Sequence, residues 1–526
     1  MRAWVFFILF LLSHSVSEAQ QMVSVDICVY GASSGGVIAA YTAGRLGKKV
    51  ILVTESDHIG GLSSGGLGNT DIGNKSAITG LARDFYRRVG HHYGKSEQWI
   101  FEPHVAEEIF RDYIKRGQVQ VLYNQRLISV KKTGRRLHEI ILFSKNAEST
   151  GATETIRAKE FIDCSYEGDL MAMASVSYTV GREDNQLYHE TYNGFQLLDK
   201  HQFPDGVDPY NIPGKPESGA LWGVSTVKPA AFGTGDKKIQ AYNFRICLTD
   251  SIRNSIVITK PEGYDSTRYN LLVRFIQIKN PKNLEDGLLN INRMPGRKTD
   301  INNNGPFSTD MIGMNYDYPD GNIETRKKII QDHIDYDKGL LYFLGHDTRI
   351  PEYLRNEMLE WGYPRDEYTD NNHWSPQLYI RESRRMIGEY IMTEANCTGK
   401  LKVTDSIGQA AYTMDSHNCQ RVIVNGMVRN EGDVQVGGFP PYPISYRSIV
   451  PKQSECTNLL VPVCLSASHI AYGSIRMEPV FMVLGQSSAI AAVMAIDLHL
   501  PLQEIPVEKL QKELKEDPLV LHRLKQ

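Results

Sequence analysis

The chain has 526 residues and a formal net charge of −3, with 41% hydrophobic and 23% charged residues. This is ordinary globular composition with material for two or three domains, and it excludes nucleic acid or an acidic membrane surface as the partner. Seven cysteines without a C-x-x-C pair argue against iron–sulfur and zinc-ribbon centres, so no metal is expected.

Residues 1–19 read as a signal peptide. Arg2 precedes the apolar run Trp4–Leu12, and Ser17-Glu18-Ala19 supplies small residues for cleavage before Gln20. Export to the periplasm or the extracellular space follows from that reading. No later run is expected to cross a membrane. Asn396-Cys397-Thr398 matches a glycosylation acceptor, a short match with little weight.

The β-branched run Val25–Tyr30 enters a small-residue turn, Gly31-Ala32-Ser33-Ser34-Gly35-Gly36, and an alanine-rich helix follows. That order is the strand–turn–helix of a dinucleotide-binding unit. A tight turn lets backbone N–H groups approach a pyrophosphate, and the helix start adds its positive dipole end. Ser33 stands where a glycine is usual, which weakens the fingerprint. Lys49–Thr54 reads as a second buried strand, with Glu55 at its end placed to accept hydrogen bonds from a ribose. The loop Gly60-Gly61-Leu62-Ser63-Ser64-Gly65-Gly66 then leaves the ligand-facing end of the sheet.

Helical periodicity over 102–114 places Val105, Ile109, Phe110 and Ile114 on a core stripe, with Glu107 and Glu108 on a solvated face. Residues 119–122, 127–130, 137–143 and 154–158 read as strands of a β-meander, and Phe161–Asp163 as a further short strand ending in Cys164-Ser165-Tyr166-Glu167-Gly168-Asp169. From about 175 to 400 the pattern is mixed and aromatic-rich, as expected of an inserted substrate domain. Arg381, Arg384 and Arg385 are placed in one helical neighbourhood, able to clamp an anion or to pair with Glu382. Near the C-terminus, Gly473–Pro479 leads into a helix carrying Gly485 and Gln486 among small residues.

These stretches, spread over residues 23–495, resemble the FAD-dependent oxidoreductase family of two-dinucleotide-fold flavoproteins, whose members often carry xanthan-lyase or heterodisulfide-reductase-A-like labels. The matching motifs are GASSGG with Glu55, the Gly60-Gly61 loop, Asp163–Asp169, Arg381–Arg385, Asp415-Ser416-His417, Tyr446-Arg447-Ser448 and Ser466–Pro479. The resemblance implies an α/β fold: a Rossmann-like FAD/NAD(P)-binding domain with a β-meander, plus an inserted α+β substrate domain. The expected division is 1–19 signal, 20–175 and 405–500 FAD-binding, 176–404 insert and 501–526 tail helix.

It also implies one non-covalent FAD. Gly31, Ser33, Ser34, Gly35, Gly36 and Glu55 would hold its ADP half. Gly60, Gly61, Leu62, Ser63 and Ser64 would lie beside the pyrophosphate and flavin, with Gly485 and Gln486 closing over the isoalloxazine end. The expected activity is hydride transfer between a small organic substrate and the flavin, with an unidentified electron acceptor. His469 is the first candidate for the proton and His417 the second, because imidazole titrates near neutrality. Arg447 and Arg476 are candidates for an anionic group, and Arg381, Arg384, Arg385 and Tyr446 for the substrate. The alternatives are an exported electron carrier acting with a partner and a carbohydrate-active lyase without flavin.

Overall fold

The computed structural model describes residues 21–145 and 153–516. The signal segment and the last ten residues of the expected tail helix lie outside the described residues. The organising sheet has seven strands. Strands β1 (Gln21–Tyr30), β2 (Val50–Val53) and β3 (Gln120–Leu122) run parallel, with helix α1 (Ser34–Arg45) connecting the first two. Helices α2 (Gly80–His92) and α3 (Pro103–Gly117) lead into β3. Strands β4 (Gln125–Thr133), β5 (Arg136–Ser144) and β6 (Thr153–Asp163) form an antiparallel meander whose last member returns parallel to β1. The order is β3-β2-β1-β6-β5-β4, and Leu459–Leu460 adds a short strand beside β6.

The separate strands expected at 154–158 and 161–163 are one continuous strand. Pairing with β1 runs unbroken in direction from Gln21↔Glu154 to Tyr30↔Asp163, and the intervening Lys159 and Glu160 remain in it. Ile27, Cys28 and Val29 are completely buried, as continuous apolar strands between two layers must be. Helix α3 buries Val105, Phe110 and Ile114 as expected, but Glu107 is not a solvated residue: it accepts from His58 Nδ1 at 3.0 Å and pairs with Arg111.

The helix Glu478–Leu498 lies against α1, where Gly485 meets the backbone of Gly35: a Cβ on Gly485 would sit 2.2 Å from the Gly35 carbonyl oxygen. Contrary to the expectation from sequence, this helix is long and apolar enough to cross a membrane; it is 94% buried inside the molecule. A second apolar cluster lies between Phe203 and Ile380, built on the helices Asn270–Lys279 and Ile323–His346, and Val428 joins it. All seven cysteines are free and buried. Asn396 is also buried, and its Nδ2 is committed to Tyr390 and Leu401, which removes the acceptor nitrogen from any sugar.

Glu160 is an instructive cost of this sheet. It is 2% exposed, one carboxylate oxygen has no hydrogen bond, and Arg136 reaches only to 3.6 Å. Burial therefore pushes its carboxyl up to about 8 despite Arg136. A folded-state value above the unfolded one means that stability is fully present below the unfolded value and is lost as pH rises through 8. Glu160→Gln is expected to stabilise the fold progressively from pH 5 to 8.5, reaching about 2–4 kcal/mol. Urea unfolding of both proteins at pH 5, 7 and 8.5 measures this.

Candidate active site

The β1–α1 turn is built for close approach. Gly31 has φ +92°, and a Cβ there would lie 2.4 Å from the Ser165 backbone nitrogen. A Cβ on Gly36 would lie 2.0 Å from the Gly31 carbonyl oxygen. Ser33 caps α1 by accepting from Gly36 N–H, and its hydroxyl donates to the Cys164 carbonyl at 2.8 Å. The serine that weakened the fingerprint is thus a helix cap that ties the turn to the 164–169 loop. Asp163 holds that loop by accepting from Ser165 and Met171; burial lifts its carboxyl to about 6.

A cavity of about 630 Å³ opens at this turn, a size suited to a cofactor. Gly31, Ala32 and Ser33 form one wall, Glu55 and Lys145 one end, and Gln377, Leu378 and Ile380 lie along the lining contributed by the insert. Glu55 accepts from Tyr30 OH at 3.2 Å and pairs with Lys145 at 3.3 Å. Arg326 and Arg384 also line the space, both paired with Asp169. Glu167 lies among them, its carboxyl lifted to about 7 by burial while Arg326 pulls the other way. An α1 N-terminus without acidic residues in its first turn, a glycine wall and flanking cations fit a diphosphate, and Glu55 fits a ribose. The residues present therefore fit the dinucleotide that the resemblance implies.

Several candidates lie elsewhere. Leu62 donates its N–H to Tyr166 OH at 2.9 Å, Ser63 donates to Glu478 at 3.3 Å, and Ser64 donates to the Ile59 carbonyl. Ser34 also bonds Glu478, and Tyr166 donates to it at 2.6 Å. Glu478, which lies in the Ser466–Pro479 motif without being among the expected site residues, is therefore the knot joining α1, the glycine loop and the long C-terminal helix. Burial holds its carboxyl above the usual range while these hydroxyls pull it down. Its signal in the sequence was an acid followed by proline at a helix start.

Gly485 and Gln486 do not line the cavity. The first is the helix-crossing glycine, and the second accepts from Leu81 N–H at the start of α2. Arg447 is half exposed and pairs with Asp405, and Tyr446 OH donates to the Leu502 carbonyl. Residues 381–384 are not helical, so the three arginines diverge. Arg381 turns to Asp310, Arg384 to Asp169 and Asp320 at the cavity, and Arg385 to Glu183 and Glu382. Only Arg384 lines the cavity.

Beyond the cavity wall lies a buried polar cluster. Leu378 and Ile380 line the cavity, while Tyr379 between them is ringed by guanidinium groups: Arg381, Arg476 and Arg245 lie 4.4, 5.8 and 5.9 Å from its ring centre. Arg476 donates to Tyr379 OH at 2.9 Å and pairs with Asp415 at 3.0 Å. His417 Nδ1 lies 2.6 Å from Asp310, whose other oxygen is 2.9 Å from Arg381. Burial pushes the Asp310 carboxyl up, but Arg381 and His417 outweigh it and hold it below the usual range. His417 Nε2 makes no hydrogen bond; its nearest acid, Asp415, is 3.7 Å away. A histidine fixed at Nδ1 by a carboxylate and open at Nε2 can accept a proton.

His469 differs. Its Nδ1 meets Glu382 at 2.7 Å and its Nε2 meets Ser416 at 3.0 Å, so both ring nitrogens are used inside the protein. A third group, Glu102, His104 and Glu367, has metal-ligand spacing, but Lys298 Nζ already sits 2.9 Å from Glu102 and 2.6 Å from Glu367.

A family model described as FAD dependent oxidoreductase matches residues 26–514. No curated protein matches the chain. Among solved structures, THI4 of Thermovibrio ammonificans is 15% identical over 30% of this chain and 66% of its own, with a TM-score of 0.24. A flavoprotein/dehydrogenase from Cytophaga hutchinsonii is 19% identical over 30% and 44%, with a TM-score of 0.22. L-proline dehydrogenase from P. horikoshii is 14% identical over 32% and 26%, with a TM-score of 0.18. The chain spans less than two thirds of the length of each of these proteins.

Proposed function

The chain belongs to the FAD-dependent oxidoreductase family, and from that membership we propose that it oxidises a small organic substrate by hydride transfer, with His417 taking the accompanying proton. The bound FAD supplies the two-electron chemistry, and the protein supplies orientation and proton handling. Gly31, Ser33 and the α1 N-terminus would hold the diphosphate and Glu55 the ribose, while Arg384 lines the same cavity. The observation that carries the reading is the His417–Asp310 pair with Nε2 free of hydrogen bonds, linked through Arg381 and Asp415–Arg476 to Tyr379, whose neighbours Leu378 and Ile380 line the cavity. Asp310 holds Nδ1–H and steadies the imidazolium formed when Nε2 accepts a proton. Arg476 and Tyr379 fix the opposite side through Asp415. Burial of Asp310, Tyr379, Arg381 and Arg476 limits the water that can compete for the proton.

Export through the 1–19 segment is part of the same proposal and rests on the sequence. The test is anaerobic mixing of flavin-loaded protein with a metabolite panel. Bleaching of the flavin band by one compound class is the expected result. Bleaching only by a reduced protein partner would replace this reading with that of an electron carrier.

A further inference from the structure

Three carboxylates line the cavity at the β1–α1 turn, Glu55, Glu167 and Asp169, and among the described residues Glu167 is the one without an ion pair. Glu55 meets Lys145 at 3.3 Å, and Asp169 takes both Arg326 and Arg384, at 2.7 and 2.6 Å. Arg326 also donates to the Tyr318 and Pro319 carbonyls, and Arg384 to Asp320. Arg384 reaches only the backbone carbonyl of Glu167, at 3.2 Å. Glu167 Oε1 accepts from Tyr318 OH at 3.1 Å, and its Oε2 makes no hydrogen bond among the described residues. The charged groups acting on this carboxyl are Arg326 from the insert, Asp169 on its own loop and Glu55 at the strand end. Tyr30, Tyr242, Tyr318 and Cys464 lie around it, and burial holds each of them protonated near neutrality. His58, Arg126 and Lys327 complete the charged lining.

A diphosphate is a dianion, and like charge disfavours ionisation of a carboxyl already short of partners. A proton on Glu167 removes that repulsion and turns a group that only accepts hydrogen bonds into one that also donates. Asp169 is a poorer recipient: burial pushes its carboxyl up, but Arg326 and Arg384 outweigh burial and hold it below the usual range. We propose that Glu167 is the proton-binding residue of the cofactor site, so that the diphosphate enters together with one proton, taken from solvent onto the Glu167 carboxylate. The proposal rests on the placement of the diphosphate in this cavity. Burial lifts the Glu167 carboxyl to about 7 before any anion is counted, and a diphosphate lifts it further. Binding is therefore tightest below 7 and weakens as pH rises through 7 towards the higher value of the complex.

The test is titration of the full chain, freed of flavin, with FAD between pH 6 and 9. Flavin fluorescence reads the affinity, and calorimetry in buffers of different ionisation heat counts the protons. If the diphosphate raises the carboxyl by one unit, Kd rises about tenfold over that range, with about half a proton taken up per FAD at pH 7.5. Glu167→Gln keeps an acceptor for Tyr318 OH and removes the charge. It should bind FAD without proton uptake, at pH 9 about as tightly as the wild type at pH 6. Glu167→Asp keeps a titrating group and should keep the slope, which a merely structural role would not predict. An unchanged slope and proton count in Glu167→Gln overturns the proposal and moves the proton to another group such as His58, whose imidazole Glu107 holds above its ordinary value. Absence of uptake in the wild type overturns it whether or not either variant folds. No FAD binding at any pH removes the cofactor from the cavity, and the proposal with it.

Discussion

His417→Asn is expected to slow anaerobic flavin reduction by 10²–10⁴-fold while the protein stays yellow, the usual weight of a positioned general base. The flavin should remain because His417 lines no part of the 630 Å³ cavity; it meets Asp310, and its backbone N–H bonds Gln240. Asp310→Asn should slow the reaction less steeply than removal of the ring, since it leaves the imidazole in place but withdraws the carboxylate charge that steadies the imidazolium. His469→Asn supplies the contrast. Its ring joins Glu382 to Ser416 in a core where Arg385 also depends on Glu382, so its loss should lower the melting temperature more than it lowers the rate. Stopped-flow reduction and thermal melts on the three variants separate the roles. A His417→Asn enzyme reducing at the wild-type rate would remove it from the chemistry.

Gly31→Ala is expected to give protein purified without flavin. The added methyl would sit 2.4 Å from Ser165 N and 2.7 Å from Ser165 Cα, both backbone atoms that cannot swing aside, at a φ of +92° that side chains rarely adopt. Strain of about 1–2 kcal/mol from the backbone and about 1–3 from overpacking add to roughly 3 kcal/mol or more. The clash lies within the protein, so relieving it means displacing the 164–169 loop that bounds the cavity; taken from binding, that strain is about a hundredfold or greater loss of affinity, and what remains lowers the melting temperature. Gly47→Ala is the control. It too has a positive φ, +81°, but nothing lies within 4 Å of its added carbon, so only the backbone strain applies. The ratio of flavin to protein absorbance, with the melting temperature, reads both. Equal flavin content in the two variants would contradict the placement of the diphosphate at Gly31.

Local sequence carried the nucleotide-binding unit because its signals are themselves local. A buried β-branched strand, a small-residue turn and an apolar helix within about thirty residues can be assembled only as β1, α1 and β2. Glu55 at the strand end and Ser33 as a helix cap belong to that same short range. The single strand from Thr153 to Asp163 was less legible, because Lys159 and Glu160 look like a break until β1 pairs across them. The Arg381–Arg385 run was legible only in part: Arg385 pairs with Glu382, one of the two readings, but residues 381–384 are not helical and the three arginines also reach Asp310, Asp169 and Glu183.

The amino-acid sequence by itself determined the fold class, the family and the strand–turn–helix unit at 21–45. Tertiary structure decided which residues face one another. Asp310 reaches His417 across 107 positions, Glu478 reaches Ser34 across 444, and Gly485 is spent on Gly35 rather than on a ligand. Those pairings arise from long-range packing of the insert and the C-terminal helix onto the sheet. No spacing along the chain encodes them, so it took the hydrogen-bond partners to distinguish His469, with both ring nitrogens engaged, from His417, with Nε2 free of hydrogen bonds.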